Sequence, residues 1–458
     1  MRLPIDLAVE AANATIFERQ IAPATVRAST DTRTIEPGDT FVALHGECFD
    51  GHDFAEEAVR RGATMLVLDR LDARLPGIAV MLVDDTKAAY MALAGAARAF
   101  FRGRVIAITG STGKTTTKSL LAQLLAVKYR DRVLAAPENE NNEIGVSKLL
   151  LNAAGDAHDV LVIEMGARRY GDVSALVEIA RPQLGILTNI GEAHLEIMGS
   201  RERLEATKWG LFSGGARAIL NVADEVARRR APSLDTPAHW FGAVRSPLEA
   251  DVELEPLTAI AGDRLVHRCK GRIAEYPIDV RLPGLHNRAN LAAAIAGALE
   301  LEVPLERLLD EIPKLRLPRG RYDRIAVEGG IHFIYDAYNA NASGMIAALD
   351  AFASEAASRR IAVLASMAEL GEESQTLHER VGAHAASKVD VLLVRGEYAT
   401  DLARGAKRGG LKSPQIVFVE TNARAVRWLR EHVRPDDVVL LKGSRKYKLE
   451  EIVEELRS

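Results

Sequence analysis

The run Thr109-Gly110-Ser111-Thr112-Gly113-Lys114-Thr115-Thr116-Thr117 lies between an apolar stretch, Val105-Ile106-Ala107-Ile108, and a segment with helical periodicity reaching about Lys128. Glycines at these positions let backbone N–H groups curl around phosphate oxygens, and the following helix adds the positive end of its dipole. Lys114 is placed to reach β- and γ-phosphates, and the Thr115 hydroxyl to help hold Mg²⁺. Gly110, Ser111, Thr112, Gly113 and Thr116 complete the expected nucleotide cradle. A glycine turn that merely joins a strand to a helix is the plainer reading, and Gly-Lys-Thr in this setting argues against it. An ordinary P-loop carries another glycine five positions before Gly113; Ile108 stands there, which disfavours a common kinase or GTPase loop.

Two further groups are expected at the same edge of a sheet. Glu164 ends the apolar run Val160–Ile163, and His194 follows a strand ending near Asn189. A carboxylate oxygen suits Mg²⁺, whereas imidazole is less usual for so hard a cation. Taken alone, His194 reads better as a packed or surface histidine, and Lys208 as a solvated helix lysine.

These groups need a scaffold, and the chain is long enough for several. At 458 residues the length suggests about three domains. Residues 1–98 mix short strands (Phe41–Leu44, Met65–Leu68) with helices from Phe54 to Arg61 and from about 86 to 101. Residues 99–317 alternate apolar runs at 105–109, 160–163, 184–187 and 218–220 with helical stretches, predicting a parallel sheet covered on both faces. Residues 250–282 look more β-rich and less regular, and a helix begins near Asn287. After Pro318-Arg319-Gly320, strands at 331–335, 361–364, 391–394, 416–419 and 438–441 predict another open α/β sheet over 318–458. Thr421 is a candidate N-cap there. The fold class is therefore α/β in three domains: a small N-terminal unit, a P-loop parallel-sheet unit and a Rossmann-like C-terminal unit.

Composition narrows the partners. Net charge is −4, so nothing favours a nucleic acid. The two cysteines, Cys48 and Cys269, form neither a metal knuckle nor a redox pair, and a reducing compartment is the default. No apolar stretch approaches the ~20 residues needed to span a bilayer. A cytoplasmic protein without membrane insertion is expected.

The variant loop Thr-Gly-x-x-Gly-Lys-Thr-Thr-Thr resembles that of the Mur ligase family, and collinear landmarks extend the resemblance over nearly the full chain. Asn139-Glu140-Asn141-Asn142-Glu143-Ile144-Gly145-Val146 and Asp336-Ala337-Tyr338-Asn339-Ala340-Asn341 are similar to segments of its MurF type. So are Ala368-Glu369-Leu370-Gly371 with His378, Lys442-Gly443-Ser444-Arg445, and the N-terminal run Asp31-Thr32-Arg33, Pro37-Gly38-Asp39 and Asp50-Gly51-His52. The resemblance implies a UDP-substrate domain over 1–98, an ATP domain over 99–317, and a domain over 318–458 that binds the incoming amine and closes over ATP. It implies a magnesium site on Thr115, Glu164 and His194, with Lys208 as a carbamate (N6-carboxylysine). Lys114, Glu164, His194 and Lys208 would then be the catalytic set. Asn287 and Asn290 would approach adenine, Arg321 the phosphates and Asp336 the ribose, with Tyr338 and Asn339 beside the nucleotide. Thr32 and Arg33 would hold the uridine end. Asn139, Asn141, Asn142, Lys442 and Arg445 would meet the rest of the substrate, although an Asn-rich turn is also ordinary loop chemistry.

The implied reaction is ATP-dependent, ADP-forming amide synthesis through an acyl phosphate. It would join D-alanyl-D-alanine to UDP-MurNAc-tripeptide for peptidoglycan, by a monomer. Departures keep a second acid–amine pair open. The family usually has Gly and Asp at Ala365 and Ser366, Pro at Ala342, Met at Tyr447, and Gly-Glu at Trp209-Gly210. A P-loop switch that hydrolyses ATP without making an amide is the alternative from another class.

Overall fold

The computed structural model describes residues 2–46, 49–71, 77–137, 140–153, 157–192, 195–244, 254–327 and 331–457. Cys48, Asn139 and His194 lie outside the described residues. The chain builds three α/β units, each on its own principal sheet.

The first unit carries a five-stranded sheet whose order runs Thr15–Phe17, Ala79–Leu82, Met65–Leu68, Thr40–Val42, Ala28–Ser29. The strand expected over 41–44 ends at Val42, and the helix expected from Phe54 opens with a 3-10 turn, Gly51–Phe54, before Ala55–Arg60. Helix Thr86–Phe100 starts on a sound cap, the Asp85 carboxylate accepting from Ala88 N at 2.7 Å. Its inner face, with Tyr90, Leu93 and Ala97, shares one core with the central unit, so the two units pack as neighbours.

The central sheet has nine strands. Strands Val133–Ala135, Val160–Glu164, Arg104–Thr109, Leu184–Leu187, Arg217–Asn221, His239–Val244 and Leu257–Ala261 lie side by side in parallel. An antiparallel hairpin, Arg264–Cys269 and Arg272–Pro277, completes the edge. That hairpin is the less regular β region of the sequence; the strand His239–Val244 was not foreseen. In strand Arg104–Thr109 successive side chains divide between two cores, as the strand period demands. Ile106 and Ile108 meet Leu120, Leu124, Leu291 and Ile295, while Val105 and Ala107 meet Leu161, Ile163 and Val173. Helices Lys114–Tyr129 and Gly284–Glu300 cover the first of these faces.

The third sheet has six strands, in the order Asp323–Val327, Ile331–Tyr335, Asp437–Lys442, Arg359–Ala365, Val391–Arg395, Ile416–Phe418. All but the first pair are parallel, as expected. The extra edge strand Asp323–Val327 alternates half-buried and exposed residues over few positions, which leaves a faint pattern. Thr421 caps its helix, accepting from Arg424 N at 3.2 Å.

Candidate active site

The glycine loop sits at the carboxyl edge of the central sheet. Glu164 pairs in register with Ile108, and Leu187 with Thr109, so three strands release their chains beside one another. Gly110 has φ +145° and a Cβ there would run into the Thr188 hydroxyl. Gly113 has φ +82° and a Cβ there would meet the Asn290 side chain. Both positions therefore need glycine for conformation and for close approach. The loop is tied to the next crossover: Asn189 Oδ1 accepts from Thr112 N at 3.1 Å, and Thr188 Oγ1 donates to Thr112 O at 2.6 Å. Sequence reading missed Thr188 and Asn189, which carry no spacing signal beyond following a strand.

Around Glu164 the polar groups are tightly arranged. Its side chain is buried, with 1% of the residue exposed. Asn141 Nδ2 donates to Oε1 at 2.8 Å, and the Lys118 ammonium lies 3.5 Å from Oε2. Oε2 has no hydrogen-bond partner among the described residues. Lys114 donates to Gly110 O at 2.8 Å, and burial lowers its pKa against the pull of Glu164. Lys208 is not the solvated helix lysine its local sequence suggests. Helix Arg201–Trp209 turns it inward to 1% exposure. Burial, then the nearby Lys114 charge, hold its pKa well below the ordinary lysine value, while Asp172 and Glu164 oppose them.

A cavity of about 340 Å³ opens above the loop. Ser111, Thr112, Gly113, Lys114, Thr115 and Thr116 form one wall, with Asn141 and Glu164 at one end. Asn287 and Asn290 of helix Gly284–Glu300 line it beside His286. From the third unit come Arg321, Asp336, Tyr338, Asn339 and Lys442. Arg321 donates to Thr115 Oγ1 at 3.3 Å while its guanidinium stacks 4.5 Å from the Tyr338 ring. His286 has its pKa pushed down to about 4, chiefly by burial.

The remaining candidate residues are placed as follows by the fold. Lys442 lies against Asp336, 2.6 Å from Oδ2 and 3.0 Å from its carbonyl oxygen, with both residues buried. Asn142 is the N-cap of helix Glu143–Asn152, accepting from Gly145 N at 2.9 Å. Arg445 is exposed and pairs with Glu450 at 3.1 Å. Thr32 and Arg33 stand on a 3-10 turn of the first unit; Arg33, its side chain 82% exposed, pairs with Asp31.

Three sheets in series, with a glycine loop facing the third unit across a polar cavity, define a multidomain α/β P-loop protein. Sequence-family models agree with that architecture: "Mur ligase family, catalytic domain" matches residues 28–94, "Mur ligase middle domain" 108–298, and "Mur ligase, glutamate ligase domain" 320–445. The chain belongs to the Mur ligase family. It is 34% identical to the UDP-N-acetylmuramoyl-tripeptide–D-alanyl-D-alanine ligase of Synechocystis, over 93% of this chain and 91% of that one. The Bacillus subtilis ligase of the same name is 32% identical, over 93% and 92%. Among solved structures, MurF from Acinetobacter baumannii superposes with a TM-score of 0.85 at 28% identity, covering 100% of this chain and 99% of that one. MurF from Thermotoga maritima, in complex with ADP, gives 0.78 at 27% identity over 94% and 97%.

Proposed function

We propose that this chain joins the carboxylate of UDP-MurNAc-tripeptide to the amine of D-alanyl-D-alanine, with ATP converted to ADP and phosphate. The end-to-end likeness to ligases of that name carries the reading. The arrangement of Lys114, Glu164 and Lys208 about one glycine loop supports it. In this reading residues 1–98 hold the uridine end through Thr32 and Arg33, 99–317 hold ATP, and 318–458 bring the amine. The enzyme acts as a cytoplasmic monomer; no helix among the described residues is long and apolar enough to cross a membrane.

ATP lies in the 340 Å³ cavity, adenine toward Asn287 and Asn290, ribose toward Asp336, and phosphates along residues 110–116. The substrate carboxylate forms an O–P bond to the γ-phosphorus as the bridging bond to ADP breaks. The amine then attacks the acyl carbon, phosphate leaves, and the nitrogen loses its proton to solvent. Lys114 meets charge on the transferring group, and no side-chain nucleophile is needed, because positioning and charge stabilisation do the catalysis.

A magnesium ion fits these residues. Glu164 Oε2 is a buried carboxylate oxygen with no hydrogen bond among the described residues, the Lys118 ammonium standing 3.5 Å away, and Thr115 lines the same cavity. With His194 these residues would hold the ion, which when bound neutralises phosphate charge. Lys208 suits a carbamate, since burial favours the neutral amine that captures CO₂ and the product supplies an anion to a cation-rich pocket.

A second reading, with a different amine, rests on one corner of the third unit. The atypical Ser366 and Tyr447 gather at Gly396, where a Cβ would crowd both side chains, and Ala365 packs on Gly443. These residues shape one corner at the carboxyl edge of the third sheet. An assay with ATP, Mg²⁺, UDP-MurNAc-tripeptide and a panel of amines separates the readings. We expect ADP release only with acid and D-alanyl-D-alanine together, and a product mass equal to their sum less water. Turnover with another amine in preference would select the second reading; ADP release without amide would overturn both.

A further inference from the structure

Lys118 lies one helical turn beyond Lys114, so both side chains leave the same face of helix Lys114–Tyr129. Its ammonium reaches Glu164 Oε2 at 3.5 Å with only 5% of the side chain exposed. The neighbourhood is rich in cations: Lys114, Lys118, Lys208 and Arg321 sense Glu164 or one another, with Glu140 also acting on Lys118 and Asp172 on Lys208. Phosphates answer part of that surplus. Lys118, however, does not line the nucleotide cavity.

It lines a second one instead. A cavity of about 500 Å³ is lined by Thr115, Lys118, Ala135 and Ala136 of the central unit and by Arg445 and Glu450 of the third. It shares Thr115, Arg321 and Tyr338 with the nucleotide cavity, so the two meet where the terminal phosphate would lie. Ala135 ends strand Val133–Ala135, which leads to the Asn-rich turn and helix Glu143–Asn152. Glu143 of that helix is ion-paired with Lys87 of the first unit. A substrate anchored in the first unit can follow this edge into the second cavity.

We propose that the second cavity takes the peptide arm of the acid substrate, and that Lys118 is the cation on which its reacting carboxylate is seated beside the γ-phosphate. This rests on the ligase reading above. Two anions must approach within bonding distance, and an ammonium between them offsets their repulsion; lysine, a compact point charge, suits that place better than the planar arginine fork. As the carboxylate arrives, Lys118 exchanges Glu164 Oε2 for the substrate oxygen, and Oε2 would then be free to hold a metal ion. Lys118 keeps its protons and forms no covalent bond; the O–P bond is made and the bridging bond to ADP broken as described.

The test uses the full-length Lys118→Met and Lys118→Arg enzymes. Initial rates are measured against UDP-MurNAc-tripeptide at saturating ATP and amine, beside Mg²⁺ titrations and ADP binding by calorimetry. Losing a charge-assisted hydrogen bond predicts a rise in KM for the acid of roughly 10- to 100-fold in Lys118→Met, with kcat also reduced. ADP affinity and the Mg²⁺ requirement should stay close to wild type, and Lys118→Arg should recover part of the acid KM. An unchanged acid KM, or a loss confined to Mg²⁺ or ADP, assigns Lys118 to Glu164 alone and overturns the inference. Should Lys118→Met not fold, judged by thermal melting, Lys118→Arg and Lys118→Gln decide by the same split. Wild-type turnover of this acid in the same assay keeps the two failures apart, since its absence counts against the ligase reading and not against Lys118.

Discussion

Gly113→Ala tests the seam between the glycine loop and helix Gly284–Glu300. At φ +82° an alanine pays the left-handed penalty of roughly 1–2 kcal/mol. Its Cβ would collide with Asn290 Oδ1, standing 3.2 Å from Cγ and 3.4 Å from Nδ2. Overpacking of that kind costs about 1–3 kcal/mol, less if the amide can swing away. Asn290 is not free to swing without loss, for its Oδ1 accepts from Thr117 Oγ1 at 3.4 Å and its amide faces Asn287 Oδ1 at 3.5 Å. The sum is about 3 kcal/mol, a fall in Tm of roughly 6–12 °C for a unit near 200 residues. ADP affinity should drop about tenfold or more as the loop N–H groups shift. A double-mutant cycle separates the two contributions: Asn290→Ala removes the obstacle but not the backbone strain. The pair should therefore be coupled by about 1 kcal/mol or more, read by thermal and urea melts of the four proteins. Additivity within ~0.5 kcal/mol would refute the steric half of the argument.

Three further outcomes follow from the site. Lys208→Arg places a permanent cation where the carbamate would stand and cannot form it, so kcat should fall roughly 100-fold; intact-protein and peptide mass spectra of wild type should show one CO₂ on Lys208, and depleting CO₂ should slow turnover until bicarbonate is restored. Asp336→Asn strands the buried Lys442 charge and should cost about 3–5 kcal/mol in urea melts, much of it recovered by adding Lys442→Met. His286 binds its proton near pH 4 folded and near 6.5 unfolded, so the unfolded chain takes up the extra proton between those values. Stability from this group is then full above pH 6.5 and lost on acidification toward 4, at up to about 1.4 kcal/mol per pH unit; urea midpoints across that window should flatten in His286→Gln.

What the sequence made legible was local or periodic. Residues 109–117 carry their chemistry in consecutive letters, and Glu164 ends an unbroken apolar strand whose neighbours share its register. Burial of a polar side chain was not legible, because it is decided by elements far away in the chain. Lys208 sits in Arg201-Glu202-Arg203-Leu204-Glu205-Ala206-Thr207-Lys208-Trp209, a run that reads as a solvated helix, yet packing turns that lysine inward. Lys442 and Asp336 are 106 residues apart, so their pairing could not be read from either motif. Asn142, expected to meet substrate, also caps a helix through its side-chain oxygen, a use its place in an Asn-rich run does not announce. Strand Asp323–Val327 was missed because an edge strand with Asp323 and Arg324 in its opening residues has little apolar alternation to show.

The same long-range placement explains how the third unit can respond to a nucleotide. Its described hydrogen bonds to the glycine loop are Arg321 to Thr115 Oγ1 at 3.3 Å and Asn341 Nδ2 to Ser111 O at 3.5 Å, both long and both made by side chains. A phosphate oxygen offers Arg321 a charged acceptor in place of a neutral hydroxyl, roughly doubling the strength of that contact. Asp336 already holds Lys442, so the third unit brings the guanidinium to the anion while its own buried pair stays neutralised. On the proposed reading, nucleotide binding would strengthen contacts between the central and third units without opening either core. The second cavity is bounded by these units too, with Lys118 on one wall and Arg445 and Glu450 on the other, so its shape depends on the same contacts. On the proposed reading, a nucleotide that draws Arg321 inward would also fix the wall against which the acid is proposed to fit, which predicts that nucleotide binds first.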